Sequence, residues 1–182
     1  MVAAEGKGSG LGIVGYDAYE FIVADLDRSL RFYTRMMDVP VTARLDERTA
    51  AERGERAVLF AAGKARCVCV TPEERGGRAD RWLKRHPDGV AVVGFRVRDL
   101  DHTRRVLSER GASFTSGVVE GSDQQGRPYR SVDIATPLGD VRFRFVERAS
   151  DALPPGFVPE EGDGPANRHD FQVIDHITSN FL

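Results

Sequence analysis

The chain has 182 residues, 41% of them hydrophobic and 30% charged, a balance that excludes a disordered chain and fits one globular unit with a sizeable core. Lys and Arg total 26 against 28 Asp and Glu, a formal net charge of −2, which leaves no electrostatic footprint for nucleic acid or an anionic membrane. No apolar run approaches the ~20 residues that span a bilayer, and the start, MVAAEGKGSGLGIVG, lacks the basic-then-apolar order of a secretory signal. A cytoplasmic protein with no membrane partner is expected.

Residues 1–14 read as a Gly-rich disordered lead. Apolar residues from Tyr19 to Val23 predict a strand. Asp25 then stands where a helix N-cap belongs, with Asp27 in the first turn, and Leu26, Leu30, Tyr33 and Met37 follow at helical spacing. Val39-Pro40 ends this helix. Two further strands are expected over Ala57 to Ala61 and Ala65 to Val70, joined at a Gly63-Lys64 turn. Cys67 and Cys69 lie two apart on the second of these. They share one strand face, too close for an unstrained disulfide, and read as buried small hydrophobes.

TPEERGGRADRWLKRHPDGV follows, polar and Gly-rich, with a short helical stretch near Asp80 to Lys84. The grammar then starts again. Val90 to Val97 reads as a strand, Asp99 as an N-cap, and Leu100, Val106 and Leu107 as the buried face of a helix closed by Gly111. Strands over Ser131 to Ala135 and Val141 to Val146 flank a Pro137–Asp140 turn. Shifting the chain by 74 residues aligns EFIVADLDRSLRF with GFRVRDLDHTRRV, with six identities in thirteen positions. Two β-α-β-β-β units in one domain over 15–150 are therefore predicted. Residues 151–172, rich in Pro, Gly and acids, read as a linker, and 173–182 as the first strand of a truncated catalytic domain.

The order of motifs resembles one superfamily. A tandem βαβββ repeat with a curled mixed sheet, an α+β fold, is that of the vicinal-oxygen-chelate, or glyoxalase/bleomycin-resistance, superfamily. HPDGV at 86–90, LPPGFVP at 153–159 and IDHITSN at 174–180 resemble, in order, the 4-hydroxyphenylpyruvate dioxygenase family and its sister 4-hydroxymandelate synthases. The resemblance covers about residues 12 to 182 and only the first half of such an enzyme.

That resemblance implies a non-haem Fe(II) dioxygenase whose catalytic half chelates a small-molecule 2-oxo acid, with a homo-oligomer as the assembly. The iron sits on two histidines and a glutamate, leaving open positions for keto acid and oxygen. His176, in IDHITSN, matches the first of these ligands; the other two have no counterpart in the chain. No catalytic residue and no bound cofactor are expected here. His86, His102 and His169 read as exposed or structural. Within the visible repeat, Glu20, Gly94 and Arg144 occupy the ligand positions, and an Arg supplies no lone pair. A Glu20–Arg144 ion pair is the expected use of that space. Two rivals of other classes remain: a free-standing module that binds a small ligand without chemistry, and a glyoxalase-type lyase or isomerase.

Overall fold

The computed structural model describes residues 10–149, 151–160 and 164–178. One nine-stranded mixed sheet carries the fold. Its strands are β1 (Ile13–Ile22), β2 (Val41–Leu45), β3 (Glu55–Ala62), β4 (Ala65–Pro72), β5 (Gly89–Val97), β6 (Val119–Ser122), β7 (Pro128–Ala135), β8 (Arg142–Arg148) and β9 (Phe157–Pro159). They lie in the order β6-β7-β8-β5-β1-β4-β3-β2-β9. The helices are α1 (Leu26–Arg31), α2 (Glu47–Arg53), α3 (Arg78–Leu83) and α4 (Leu100–Glu109).

The repeat is visible in the topology. β1 pairs in parallel with β4 and β5 in parallel with β8, while β1 and β5 meet antiparallel at the centre. Each unit thus crosses through a helix and returns beside its own first strand, and the sheet curls into a half-barrel. Asp25 and Asp99 cap their helices as expected: the carboxylates accept from Arg28 N at 2.8 Å and His102 N at 2.9 Å.

Alternation along the strands sorts the core. α1 covers Val23, Val58, Phe60 and Cys69, whereas α4 covers Val97, Val132 and Phe145. The opposite, inner face carries Ile22, Leu59, Val68, Val70 and Val92, onto which Trp82 of α3 and Phe157 of β9 pack.

Several elements differ from expectation. The first helix does not run on as an α-helix to Met37: Phe32–Met36 form a π turn, in which Met37 N donates to Phe32 O at 3.1 Å. The Thr34 hydroxyl, bonded to Leu30 O at 2.7 Å, competes for the carbonyls of this turn. β2, α2 and β6 escaped the sequence reading because they are short and polar. α2 nevertheless has its own signal, Asp46 accepting from Thr49 N at 2.9 Å with Gly54 left-handed at the C-cap.

The segment expected as a linker is docked. β9 pairs antiparallel with β2 through Leu45↔Phe157. Asp38 accepts from Arg168 N at 2.5 Å and from its guanidinium at 2.9 Å, and Lys64 N donates to Gln172 O at 2.7 Å. The expected strand over 173–177 is not paired to any other strand among the described residues, and residues 179–182 lie outside the description. At the other end β1 begins at Ile13, two residues inside the expected lead, whose residues 1–9 are likewise outside the description. Among the described residues no helix is long and apolar enough to cross a membrane.

Candidate functional site

The inner face is apolar except at its middle, where the sequence places charge on four strands. Glu20 of β1 stands in register between Val68 of β4 and Val92 of β5, and Gly94 of β5 pairs with Arg144 of β8. The three positions singled out from the repeat therefore meet. Arg144 Nη1 lies 3.2 Å from Glu20 Oε2, the expected ion pair. Gly94 lets the strands close up there: a Cβ would fall 2.7 Å from Ala18 O.

The pair belongs to a larger network that sequence reasoning missed. Arg78, from the start of α3, bonds Glu20 Oε1 and lies 3.2 Å from Glu55 Oε2. Glu55 also accepts from Ala79 N at 3.2 Å, which ties the helix to β3. On the far side Asp133 of β7 takes Arg144 at 2.8 Å and 3.0 Å, a bidentate clasp, and Arg142 at 3.0 Å. Glu55 and Asp133 are 6% and 4% exposed. The one available signal was a Glu opening a strand, ERAVLF, that turns apolar after Arg56; nothing local pointed to its partner 23 residues away.

Burial alone would raise the Glu20 pKa, but the Arg78 and Arg144 guanidiniums overcome it and hold the carboxyl down at about 2. Burial alone would likewise lower the Arg144 pKa, but Glu20 and Asp133 hold it above its ordinary value. Glu20 is thus a fixed anion shared by two fixed cations. A Lewis-acidic metal requires free lone pairs. Here the one inner-face carboxylate at a ligand position is occupied by arginines, and Val68, Gly94 and Arg144 offer none. The donor set does not fit Fe(II). Among the described residues no three His, Cys, Asp or Glu side chains converge as a metal site.

The histidines fall elsewhere. His86 Nε2 lies 2.7 Å from Asp140 Oδ2, and its ring packs on Trp82 with centroids 4.5 Å apart. His102 Nε2 is 3.1 Å from Gly10 O, and the His169 ring lies near Phe171. His176 forms no hydrogen bond or ion pair with the network among the described residues: its side chain is 74% exposed and its Nδ1 lies 2.9 Å from Asp175 Oδ2. Cys67 and Cys69 form no disulfide, and burial pushes their thiols up to about 11 and about 12.

Residues 15–127 match the sequence pattern of the Glyoxalase/Bleomycin resistance protein/Dioxygenase superfamily. The chain belongs to this superfamily. A 4-hydroxyphenylpyruvate dioxygenase from Dictyostelium discoideum is 28% identical over 104 residues, which make up 54% of this chain and 28% of that protein. The match therefore spans little more than a quarter of that relative's length. Among solved structures, methylmalonyl-CoA epimerase from Mycobacterium tuberculosis superposes with a TM-score of 0.63 at 20% identity, covering 81% of this chain and 94% of its own. A Streptomyces coelicolor methylmalonyl-CoA epimerase variant, in complex with 2-nitronate-propionyl-CoA, gives 0.63 at 17% identity over 75% and 99% of the chains. At these identities the superpositions establish the superfamily's curled fold alone.

Proposed function

We propose that these residues form the amino-terminal, non-metal-binding half of a 4-hydroxyphenylpyruvate dioxygenase-like enzyme. Such an enzyme converts 4-hydroxyphenylpyruvate and oxygen to homogentisate and carbon dioxide in aromatic amino acid degradation. The observation that carries the reading is the Glu20–Arg144 pair. At the place where a metal-binding relative needs donors, this half has an ion-pair network that ties β1, β7 and β8 together. The Dictyostelium relative and the motifs at 86–90, 153–159 and 174–180 support the same reading.

The Fe(II) of such an enzyme belongs on a second half, with His176 as its first ligand, and no step of the oxidation is assigned to the inner face described here. What this half contributes is a rigid, water-poor sheet on which the His176 segment is anchored through Gln172 and Arg168. The reading includes a cytoplasmic homo-oligomer.

The reading predicts an encoding frame that continues past Leu182 and adds a second strand-borne histidine and a late glutamate. The protein expressed from that frame should consume oxygen with 4-hydroxyphenylpyruvate, and His176→Ala should abolish the uptake. Product analysis separates homogentisate from 4-hydroxymandelate formation. A frame without those ligands, or uptake indifferent to His176→Ala, would remove the proposal.

A further inference from the structure

At the end of the inner face where β4 begins and β5 and β8 finish, four neighbouring strands each bring a charge. Alternation from the inner-face positions Val68, Gly94 and Arg144 puts Arg66 of β4, Arg96 of β5 and Arg148 of β8 on that face. Asp17 of β1 stands between Arg66 and Arg96, where a bulge sets Asp17 and Ala18 opposite Gly94. A Cβ on Gly94 would lie 3.3 Å from Asp17 Cβ, so Asp17 shares the inner face. Across β4, β1, β5 and β8 the charges therefore run plus, minus, plus, plus.

These charges do not cancel. Asp17 is taken by Arg148 at 2.7 Å, and the carbonyls of Ala149 and Ala152 complete that guanidinium at 2.8 Å and 3.0 Å. Lys64, Arg66 and Arg96 border one cavity here and form no ion pair with a carboxylate among the described residues. Arg66 Nε is moreover buried without a hydrogen-bond partner, and native proteins leave few such donors unpaired. Burial, Arg148 and Arg96 all weaken the hold of Arg66 on its proton, and Asp17 offsets them only in part. Arginine can only donate, so the group that completes this wall is an anion. The apolar side chains of Leu59, Ala61 and Leu153 continue the wall beside it.

We propose that this cavity binds the phosphate group of a small phosphate monoester between the guanidiniums of Arg66 and Arg96, with the body of the ester along Leu59 and Leu153. Two guanidinium forks on either side of one strand suit a tetrahedral group that offers oxygens in both directions, whereas a carboxylate offers two in one plane. The charge fits as well: a phosphate monoester carries about −1.5 to −2 near neutral pH, a carboxylate half of that. The site shares no residue with the Glu20–Arg78–Arg144 network, and it does not depend on the dioxygenase reading.

Phenyl phosphate, titrated at constant ionic strength into the isotopically labelled 182-residue chain, should shift the Arg66 Nε–H resonance saturably. Inorganic phosphate should bind about threefold or more weakly for want of an apolar body, and acetate, with a single charge, more weakly still. In calorimetry Arg66→Gln and Arg96→Gln should each weaken phenyl phosphate about tenfold or more, through loss of a charge-assisted hydrogen bond. Arg35→Gln removes the same charge from an exposed position in the turn after α1 and should bind like the parent. If Arg66→Gln fails to fold, Arg96→Gln, at a half-buried position, decides. The proposal falls if no saturable shift survives at constant ionic strength, or if acetate or inorganic phosphate matches the ester. It falls equally if the folded Arg66 and Arg96 variants bind no worse than Arg35→Gln.

Discussion

Glu20 and Arg144, 124 residues apart in the chain, meet at 3.2 Å on the inner face of the sheet. Their side chains are 12% and 27% exposed, and each holds a second partner, Arg78 for Glu20 and Asp133 for Arg144. Removing one member of such a buried group leaves charge uncompensated, which costs more than the pair contributes when intact. Glu20→Gln should therefore destabilise the chain by about 2–3 kcal/mol in denaturant unfolding, at the low end for buried pairs because Glu55 and Asp133 still face the arginines. A loss below about 0.5 kcal/mol would show that the network is not coupled to folding.

The same group sets an acid limit. The folded-state Glu20 pKa, about 2, lies below its ordinary 4.5, so its stabilisation is present above pH 4.5 and is lost as the pH falls toward 2. Unfolding free energy measured from about pH 7 down to about pH 3 should decline for the parent. The decline should be shallower for Glu20→Gln, which has no carboxyl to protonate. Parallel curves would assign acid sensitivity to other carboxylates.

Much of the fold was legible because its signals are local and periodic. The D-L-D steps, repeated 74 residues apart, mark the two caps, and Asp25 and Asp99 both cap. The repeat also brought Glu20, Gly94 and Arg144 together in advance, since equivalent strands of a repeat meet at its axis. Arg78, Glu55 and Asp133 stayed hidden because their pairing is long-range and each side chain, taken alone, reads as surface charge. β9 stayed hidden because a three-residue edge strand flanked by prolines carries no period.

Gly94 lies on β5 beside β1, and the nearest atoms that a Cβ would meet are the backbone O and N of Ala18, at 2.7 Å and 3.1 Å, and Asp17 Cβ at 3.3 Å. Backbone inside a paired strand cannot turn aside as a flexible side chain can. Gly94→Ala should cost about 1–3 kcal/mol, the range for overpacking, despite the better strand propensity of the larger residue. An unchanged denaturation midpoint would mean that the two strands separate freely there.

Phe157 tests whether residues 151–160 are linker or structure. It is 5% exposed and packs in the cluster of Ile22, Leu59 and Trp82. Phe157→Ala should destabilise the chain by about 3–5 kcal/mol, as for other buried Phe truncations. Hydrogen exchange should show Leu45 and its β2 neighbours losing protection first, since β9 is their outer partner. A surface-like loss within about 0.5 kcal/mol would favour the linker reading.

Metal titration tests the donor argument itself. A facial triad needs three protein ligands with free lone pairs. On the inner face, Glu20 is shared by two guanidiniums, and freeing it would leave Arg78 and Arg144 without the anion that stands between them. His176 stands apart, exposed beside Asp175, so at most one imidazole and one carboxylate come from that segment. Two such ligands leave a metal mostly in water. Calorimetric titration of the 182-residue chain with Co(II), a stand-in for Fe(II), should give weak heats without a stoichiometric inflection, reduced further by His176→Ala. The same substitution should leave the melting temperature unchanged, since the side chain is largely solvated. Tight one-to-one binding that survives His176→Ala would place the ligands elsewhere in the chain and would overturn the reading of Glu20, Gly94 and Arg144 as positions closed to metal.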